Sequence, residues 1–384
     1  MINKAIPYGK QFIDREDIKS VINVLKSDWI TQGPKIKEFE EILCSYTVAK
    51  YSVAVSNGTA ALHLAALAAG IKARDEVITS PITFVASANC ILYAGGKPVF
   101  CDVEKDTGNI DVNKIEHLIN KKTKAIIPVH YSGHPVDLEK IKKIAKKYNL
   151  LVIEDAAHAL GAEYKGDKIG SCKYSDMTIL SFHPVKHITT GEGGAILTNN
   201  EELYERLLAL RTHGIVKDNF RYFDSEVDGA WYYEMQYLGF NYRITDFQCA
   251  LGISQMKKLT HFVERRREIA DIYRRELSNI KEIKLPEEKS YAKSSYHLFP
   301  VRFENEKVRK KIFDFLRSKN ILIQVHYIPV YWNPYYRGLG YKKGICPVAE
   351  DFYKSEISIP MFPSMTNKDV KYVCNTIKEF FNTI

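Results

Sequence analysis

Seven short apolar segments follow one another between Tyr51 and Thr198: residues 52–55, 76–79, 98–102, 125–129, 150–154, 177–181 and 195–198. Stretches with helical spacing separate most of them. Near-continuous apolar strands alternating with helices specify a mainly parallel sheet covered on both faces, because each parallel crossover lays a helix over the sheet. The expected fold is therefore α/β. At 384 residues the chain is long enough for two domains sharing a large core. Residues 1–255 are expected to form the large domain. Residues 256–384 are expected to form a smaller α+β domain, joined by a bridging helix over about 257–278, with strands at 297–303, 321–327 and 357–359 and helices at 307–319 and 367–381. Arg265, Arg266 and Arg267 read as a solvated face of the bridging helix, and residues 331–337 as an irregular aromatic run.

In open α/β sheets ligands bind beyond the carboxyl ends of the strands, so the residues at those ends carry the chemistry. The run Leu150-Leu151-Val152-Ile153 ends in Glu154-Asp155. The run that ends at Ser181 continues as Phe182-His183-Pro184-Val185-Lys186, then Thr189-Thr190-Gly191-Glu192-Gly193-Gly194. A lysine held near low-dielectric interior loses part of its preference for the charged form. That is the condition for its amine to form a Schiff base with an aldehyde. For Lys186 alone, a loop side chain reaching solvent is the plainer reading; for Asp155 alone, it is a helix cap. As a pair they fit pyridoxal 5'-phosphate (PLP), which needs an aldehyde-binding lysine and a carboxylate that keeps its ring nitrogen protonated. Ser56-Asn57-Gly58-Thr59 supplies a third piece, a glycine turn opening an Ala/Leu-rich helix, where free N–H groups and the helix dipole favour a phosphate. Strand-turn-helix with a capping residue is also common without any ligand.

Composition narrows the partners. A net charge of +9 is spread along the chain; it suits an ordinary solvated surface or the attraction of an anionic substrate. Helix-turn-helix and zinc spacings are missing, so no nucleic-acid partner is expected, and the histidines lack metal-ligand spacing. The seven cysteines are scattered singly and read as reduced, mostly buried thiols of a cytoplasmic protein. No signal peptide and no membrane span are expected.

In order, Ser56–Leu62, Thr79-Ser80-Pro81-Ile82-Thr83-Phe84-Val85-Ala86, Glu154-Asp155-Ala156-Ala157-His158-Ala159, Ser181–Gly194 and Gly239-Phe240-Asn241-Tyr242-Arg243 resemble the motifs of the DegT/StrS-type sugar aminotransferases, which are fold-type I PLP enzymes. The resemblance covers nearly the whole chain. It implies catalytic roles for Lys186, Asp155 and His158. It implies a cofactor site made of Gly58, Thr59, Phe84, Asp155, His158, Ser181, Lys186 and Asn241, the last reaching across a homodimer interface into a shared active site. It implies nucleotide-sugar contacts from Tyr8, from the turn Asp28-Trp29-Ile30-Thr31, from His183 and from Gln324-Val325-His326-Tyr327. The implied reaction takes an amino group from L-glutamate to a nucleotide-linked 4-keto sugar. Related sugar dehydratases replace the lysine by histidine, whereas Lys186 is present; a non-catalytic protein on the same fold is the remaining alternative.

Overall fold

The computed structural model describes residues 5–383, Glu226 excepted; the Met1–Lys4 start of the lead-in lies outside them. Seven strands form one sheet: β1 (Tyr51–Val55), β2 (Glu76–Thr79), β3 (Lys97–Phe100), β4 (Thr123–Ile127), β5 (Leu151–Asp155), β6 (Met177–Ser181) and β7 (Gly194–Thr198). Their spatial order is 1-7-6-5-4-2-3. β7 runs antiparallel to both its neighbours, and every other pairing is parallel. The α/β expectation holds, and each expected segment overlaps one of the strands, with ends displaced by at most two residues.

Helices cover the sheet: α1 (Arg15–Leu25), α2 (Pro34–Thr47), α3 (Gly58–Ala68), α4 (Ala86–Tyr93), α5 (Leu138–Tyr148), α6 (Glu201–Arg211) and α7 (Asp246–Met256). α3 is apolar all round, and its residues Ala60 to Ala66 are buried against β1, β6 and β7, as a helix without a polar face must be. α5 is the opposite case. Leu138, Ile141, Ile144 and Ala145 face inward while its lysines face water.

Beyond α7 runs α8 (Leu259–Leu277), followed by β8 (Phe299–Arg302), α9 (Glu306–Ser318), α10 (Pro347–Ser355), β9 (Glu356–Ile359) and α11 (Asn367–Thr383). β8 and β9 pair antiparallel. The 321–327 strand is shorter than expected: Ile321–Leu322 pairs with Ile6–Pro7, and past it only Gln324 bridges Ser358. The 331–337 run is not irregular, since a 3-10 turn (Val330–Trp332) and a short helix (Pro334–Gly338) occupy it. A proline at the first position starts that helix without costing a hydrogen bond. Tyr336 of this helix and Val330 and Tyr331 of the turn before it pack with Ile82, Phe100 and Tyr131 against the large sheet. The apolar side chains of Ile269, Tyr273, Phe299, Ile312, Ile357 and Val373 form a separate cluster. Among the described residues no helix is long and apolar enough to cross a membrane.

The arginine run on α8 is not a solvated face. Leu259 and Val263 of this helix belong to the core that includes Phe182 and Ile244, and Ile269, Ala270, Tyr273 and Leu277 to the C-terminal cluster, so its solvated face runs instead through Glu264, Glu268, Asp271 and Arg275. Arg266 is wholly buried and donates to the carbonyls of Tyr296 (3.2 Å), His297 (3.2 Å) and Met361 (2.8 Å). Arg265 reaches the Met365 carbonyl and Arg267 that of Ser294. Burial pushes the Arg266 guanidinium down to about 9. Arg266→Met should leave three carbonyls without their donor. At about 1–3 kcal/mol for each buried group left unpaired, thermal unfolding followed by calorimetry should move down by several degrees; an unchanged midpoint would contradict the clamp.

Candidate active site

A cleft of about 800 Å³ opens at the carboxyl ends of β1, β2, β5 and β6. The reversed strand makes it. Gly194, the first residue of β7, lies opposite Val55 on one side and Ser181 on the other, so the ends of β1 and β6 meet there. The chain between Ser181 and Gly194, which carries Lys186, has to turn over that same end.

Strand alternation sorts the two carboxylates that end β5. Glu154 is buried away from the cleft and bonds His130 Nε2 at 2.7 Å; Val136 N–H donates to His130 Nδ1, so Nε2 carries the proton and donates. Asp155 lines the cleft and is 5 % exposed. Its Oδ2 accepts from Ser87 Oγ at 2.6 Å and its Oδ1 from the Ala157 amide at 3.1 Å. One lone pair remains on each oxygen for a ligand.

Lys186 keeps some surface open, and that surface faces the cleft. Burial lowers its amine from the ordinary 10.5 to about 8; the Asp155 charge opposes the shift and Arg266 adds to it. Around it stand four buried histidines. His158, His187 and His297 are held well below the usual range by burial, with the charge of Lys186 adding to it. His326 is pushed down to about 3 for the same reasons. His158 Nε2 meets Tyr327 Oη at 3.2 Å, and its ring lies 4.2 Å from that of His297. His158 Nδ1 is buried without a protein partner.

At the opposite wall Asn57 caps α3 by accepting from the Ala60 amide at 2.8 Å. The amides of Gly58 and Thr59 in the first turn have no acceptor within the helix. A Cβ at Gly58 would lie 3.1 Å from Ser181 Oγ, so glycine is what lets this turn approach the serine. An anion cradle, a buried amine, a carboxylate with spare lone pairs and an orphaned imidazole nitrogen together fit PLP.

Of the expected cofactor residues, Gly58, Thr59, Phe84, Asp155, His158, Ser181 and Lys186 line the cleft. Phe84 precedes α4 by two residues, and its ring centroid is 6.4 Å from that of Tyr327. Asn241 is exposed outside the cleft of its own chain, although Tyr242 lines it. Of the expected substrate residues, Tyr8, His183, His326 and Tyr327 line the cleft. Asp28, Trp29, Ile30 and Thr31 are exposed away from it, because the Thr31 bridge to Thr245 holds their turn against the start of α7. Gln324 and Val325 also stay out of it: the Gln324 backbone is paired with Ser358, and Val325 packs on the C-terminal cluster. Sequence reasoning missed Ser87, Tyr93, Glu192, Tyr242 and His297. Ser87 had a readable signal, a hydroxyl on the buried face of a helix that begins at a strand end.

The comparisons agree with this geometry. The model of the DegT/DnrJ/EryC1/StrS aminotransferase family matches residues 11–378. An uncharacterised protein of Methanocaldococcus jannaschii is 47% identical over 97% of both chains. The UDP-4-amino-4,6-dideoxy-N-acetyl-β-L-altrosamine transaminase of Campylobacter jejuni subsp. jejuni serotype O:23/36 is 43% identical over 97% of this chain and 96% of its own. The solved structure of Helicobacter pylori PseC, an aminotransferase involved in the biosynthesis of pseudoaminic acid, superposes with a TM-score of 0.92 at 36% identity, covering 99% of this chain and 100% of that one. Structures of the same fold at 30% and 31% identity are described as PLP and PMP forms.

Fold and cleft define a PLP-dependent transaminase of fold-type I. The chain belongs to the DegT/DnrJ/EryC1/StrS aminotransferase family and is a sugar aminotransferase.

The lowered Lys186 pKa sets a direction for cofactor uptake. Below about 8 the amine is an ammonium and cannot attack an aldehyde; above it the free amine predominates. The rate at which apo-enzyme gains visible absorbance with PLP should rise as pH climbs through about 8. A midpoint near 10.5 would mean that the amine is not desolvated.

Proposed function

We propose that this enzyme moves the amino group of L-glutamate to C4 of UDP-2-acetamido-2,6-dideoxy-β-L-arabino-hex-4-ulose, giving UDP-4-amino-4,6-dideoxy-N-acetyl-β-L-altrosamine in pseudaminic acid biosynthesis. The observation that carries the amination is Lys186, its amine lowered to about 8 in a cleft shared with Asp155. The similarity to the Campylobacter transaminase and to PseC supports the choice of sugar.

PLP supplies an aldehyde carbon and an electron-accepting ring. Lys186 would bond that aldehyde between turnovers, then, once freed, carry the proton between the substrate carbon and the cofactor as general base and acid. Asp155, steadied by Ser87 and Ala157, would hold the proton of the ring nitrogen. Gly58, Thr59 and Ser181 would hold the phosphate, and Phe84 the ring face. His158, neutral through burial, would orient the ring through its free Nδ1 rather than exchange protons. Tyr8, His183, His326 and Tyr327 would meet the substrate.

The enzyme is read as a cytoplasmic homodimer with shared active sites. Its exposed apolar side chains support a second copy: Trp29 is 56% exposed, Tyr222 82%, Trp231 77% and Leu238 82%. In such a dimer Asn241 and the Asp28–Thr31 turn would serve the neighbour's cleft. Mixing Lys186→Ala chains, inactive alone, with Asn241→Ala chains should then restore activity, since one hybrid site carries neither change. A verified heterodimer no better than either parent would end the shared-site reading.

The sugar is tested by steady-state kinetics with glutamate as donor. The wrong epimer leaves buried polar groups unpaired, which costs far more than a misplaced methylene. The altro-series UDP-4-keto sugar should show the highest kcat/KM. A higher value for the D-gluco epimer, or for a GDP- or dTDP-linked sugar of the perosamine or bacillosamine type, would replace the substrate and keep the transamination.

A further inference from the structure

One buried carboxyl group takes no part in the chemistry above. Glu356 opens β9, is wholly buried, and lies behind the cleft wall. Its Oε2 accepts from the His326 amide at 2.9 Å, and its Oε1 lies 2.6 Å from Ser358 Oγ. Ser358 Oγ in turn lies 2.9 Å from His326 Nδ1. The His326 backbone is fixed from the far side as well, its carbonyl accepting from Tyr131 Oη at 2.7 Å. The ring lines the cleft between Tyr8 and Tyr327, and Nε2 is left to face it.

Counting protons along this line gives two arrangements. Ser358 has one hydroxyl hydrogen and spends it in one direction at a time. With Glu356 ionised, Ser358 donates to Oε1, accepts from His326 Nδ1–H, and leaves Nε2 as an acceptor. With Glu356 protonated on Oε1, Glu356 donates to Ser358, Ser358 donates to His326 Nδ1, and the ring proton sits on Nε2. Passing from the second arrangement to the first, the Glu356 proton goes to Ser358 as the Ser358 hydrogen goes to His326 Nδ1, and the Nε2 proton leaves for cleft water, so one proton is released in all and it leaves from the ring. His326 stays neutral in both. The His326 amide bond to Oε2 is kept in both.

We infer that Glu356, acting through Ser358, determines which ring nitrogen of His326 carries the proton, and so whether the cleft edge of His326 donates or accepts a hydrogen bond. Glu356 and Ser358 are positioning residues in this scheme. Neutral Glu356 makes that edge a donor to an acceptor oxygen, either the carboxylate of the amino donor or the keto oxygen of the sugar. Ionised Glu356 turns the edge into an acceptor that such an oxygen cannot use. The inference rests on the reading of the cleft as the amination site.

Electrostatics favour the neutral form near pH 7. Burial raises Glu356 to about 8, opposed by its bonds to Ser358 and His326 N–H and by the Arg309 charge from α9. The other groups that bear on the pair are Arg302, opposite Glu356 on β8 and lowered by burial, Tyr131 and Tyr327, both raised by burial and protonated, and Tyr8, also raised. On the ring side stand Lys186, whose charge helps hold His326 neutral, and His158, itself neutral. Lys186 titrates in the same range as Glu356, so variants are needed to separate them.

The test uses holoenzyme labelled with ¹⁵N-histidine, the His326 resonances being assigned from His326→Gln. In the native enzyme the proton should sit on Nε2 at pH 6.5 and move to Nδ1 by pH 9.5. In Glu356→Gln the amide donates to Ser358 in place of the protonated carboxyl, so Nε2–H should persist across the range although Lys186 is unchanged. Ser358→Ala should uncouple the tautomer from pH altogether. A native tautomer constant from pH 6.5 to 9.5, or a Glu356→Gln enzyme that follows the native curve, would overturn the relay. This arm uses no sugar, so it stands or falls apart from the substrate reading. A second arm measures KM for glutamate and for the keto sugar in separate half-reactions. The KM that rises about tenfold with pH in the native enzyme, the loss of one hydrogen bond of about 1.4 kcal/mol, but not in Glu356→Gln, identifies the source of the oxygen. If neither KM behaves so, the His326 edge does not meet substrate and that part of the inference fails.

Discussion

Everything at the active end depends on one strand that runs the wrong way. Were β7 parallel to its neighbours, the chain leaving β6 would need a crossover along the whole sheet to re-enter it. Because β7 is antiparallel, the return is made at once, over the end where ligands of such sheets bind. The connection that bears Lys186 is therefore short and pinned at both ends by paired backbone. Its partner β1 ends at the same level and hands its chain directly to α3. The anion cradle and the amine are thus placed by a single register, and Asp155 joins them through the parallel pairing of β5 with β6.

The electrostatic character of the cleft comes from exclusion of water more than from pairing. His158, His297 and His326 stay neutral there, although each would be partly charged in water near its ordinary pKa. The wall is therefore a set of directional dipoles instead of a patch of positive charge. Such a wall discriminates by which nitrogen bears the proton, and the neighbour that bears on this for His326 is Ser358, one layer further out.

Much of this was readable in the chain. The strands show as apolar runs, and Asp155, Lys186 and Gly58 sit at their ends, where topology makes local sequence informative. The misses share a cause: contacts between residues far apart in sequence. Ser87 meets Asp155 across 68 positions, and His297 lies against His158 from the C-terminal part of the chain; Ser87 carries a hydroxyl signal of its own, but no spacing ties it to its partner. Glu356 did leave one, a charged residue inside the apolar run Glu356-Ile357-Ser358-Ile359. Gln324 and Val325 were drawn in by their neighbours His326 and Tyr327, but backbone pairing with Ser358 ends the likeness at that point. Three consecutive arginines suggested solvent because charge usually seeks it. α8 does keep an exposed stripe, through Glu264, Glu268, Asp271 and Arg275, but Arg266 lies on the opposite, enclosed side.

The enclosed Arg266 also bears on how the molecule moves. It ties α8 to the 296–297 segment and to Met361 through carbonyls alone, with no carboxylate to follow it if the contact breaks. Pulling the segments apart would strand a guanidinium in a dry interior, a cost of several kcal/mol. A hinge at this point would be stiff.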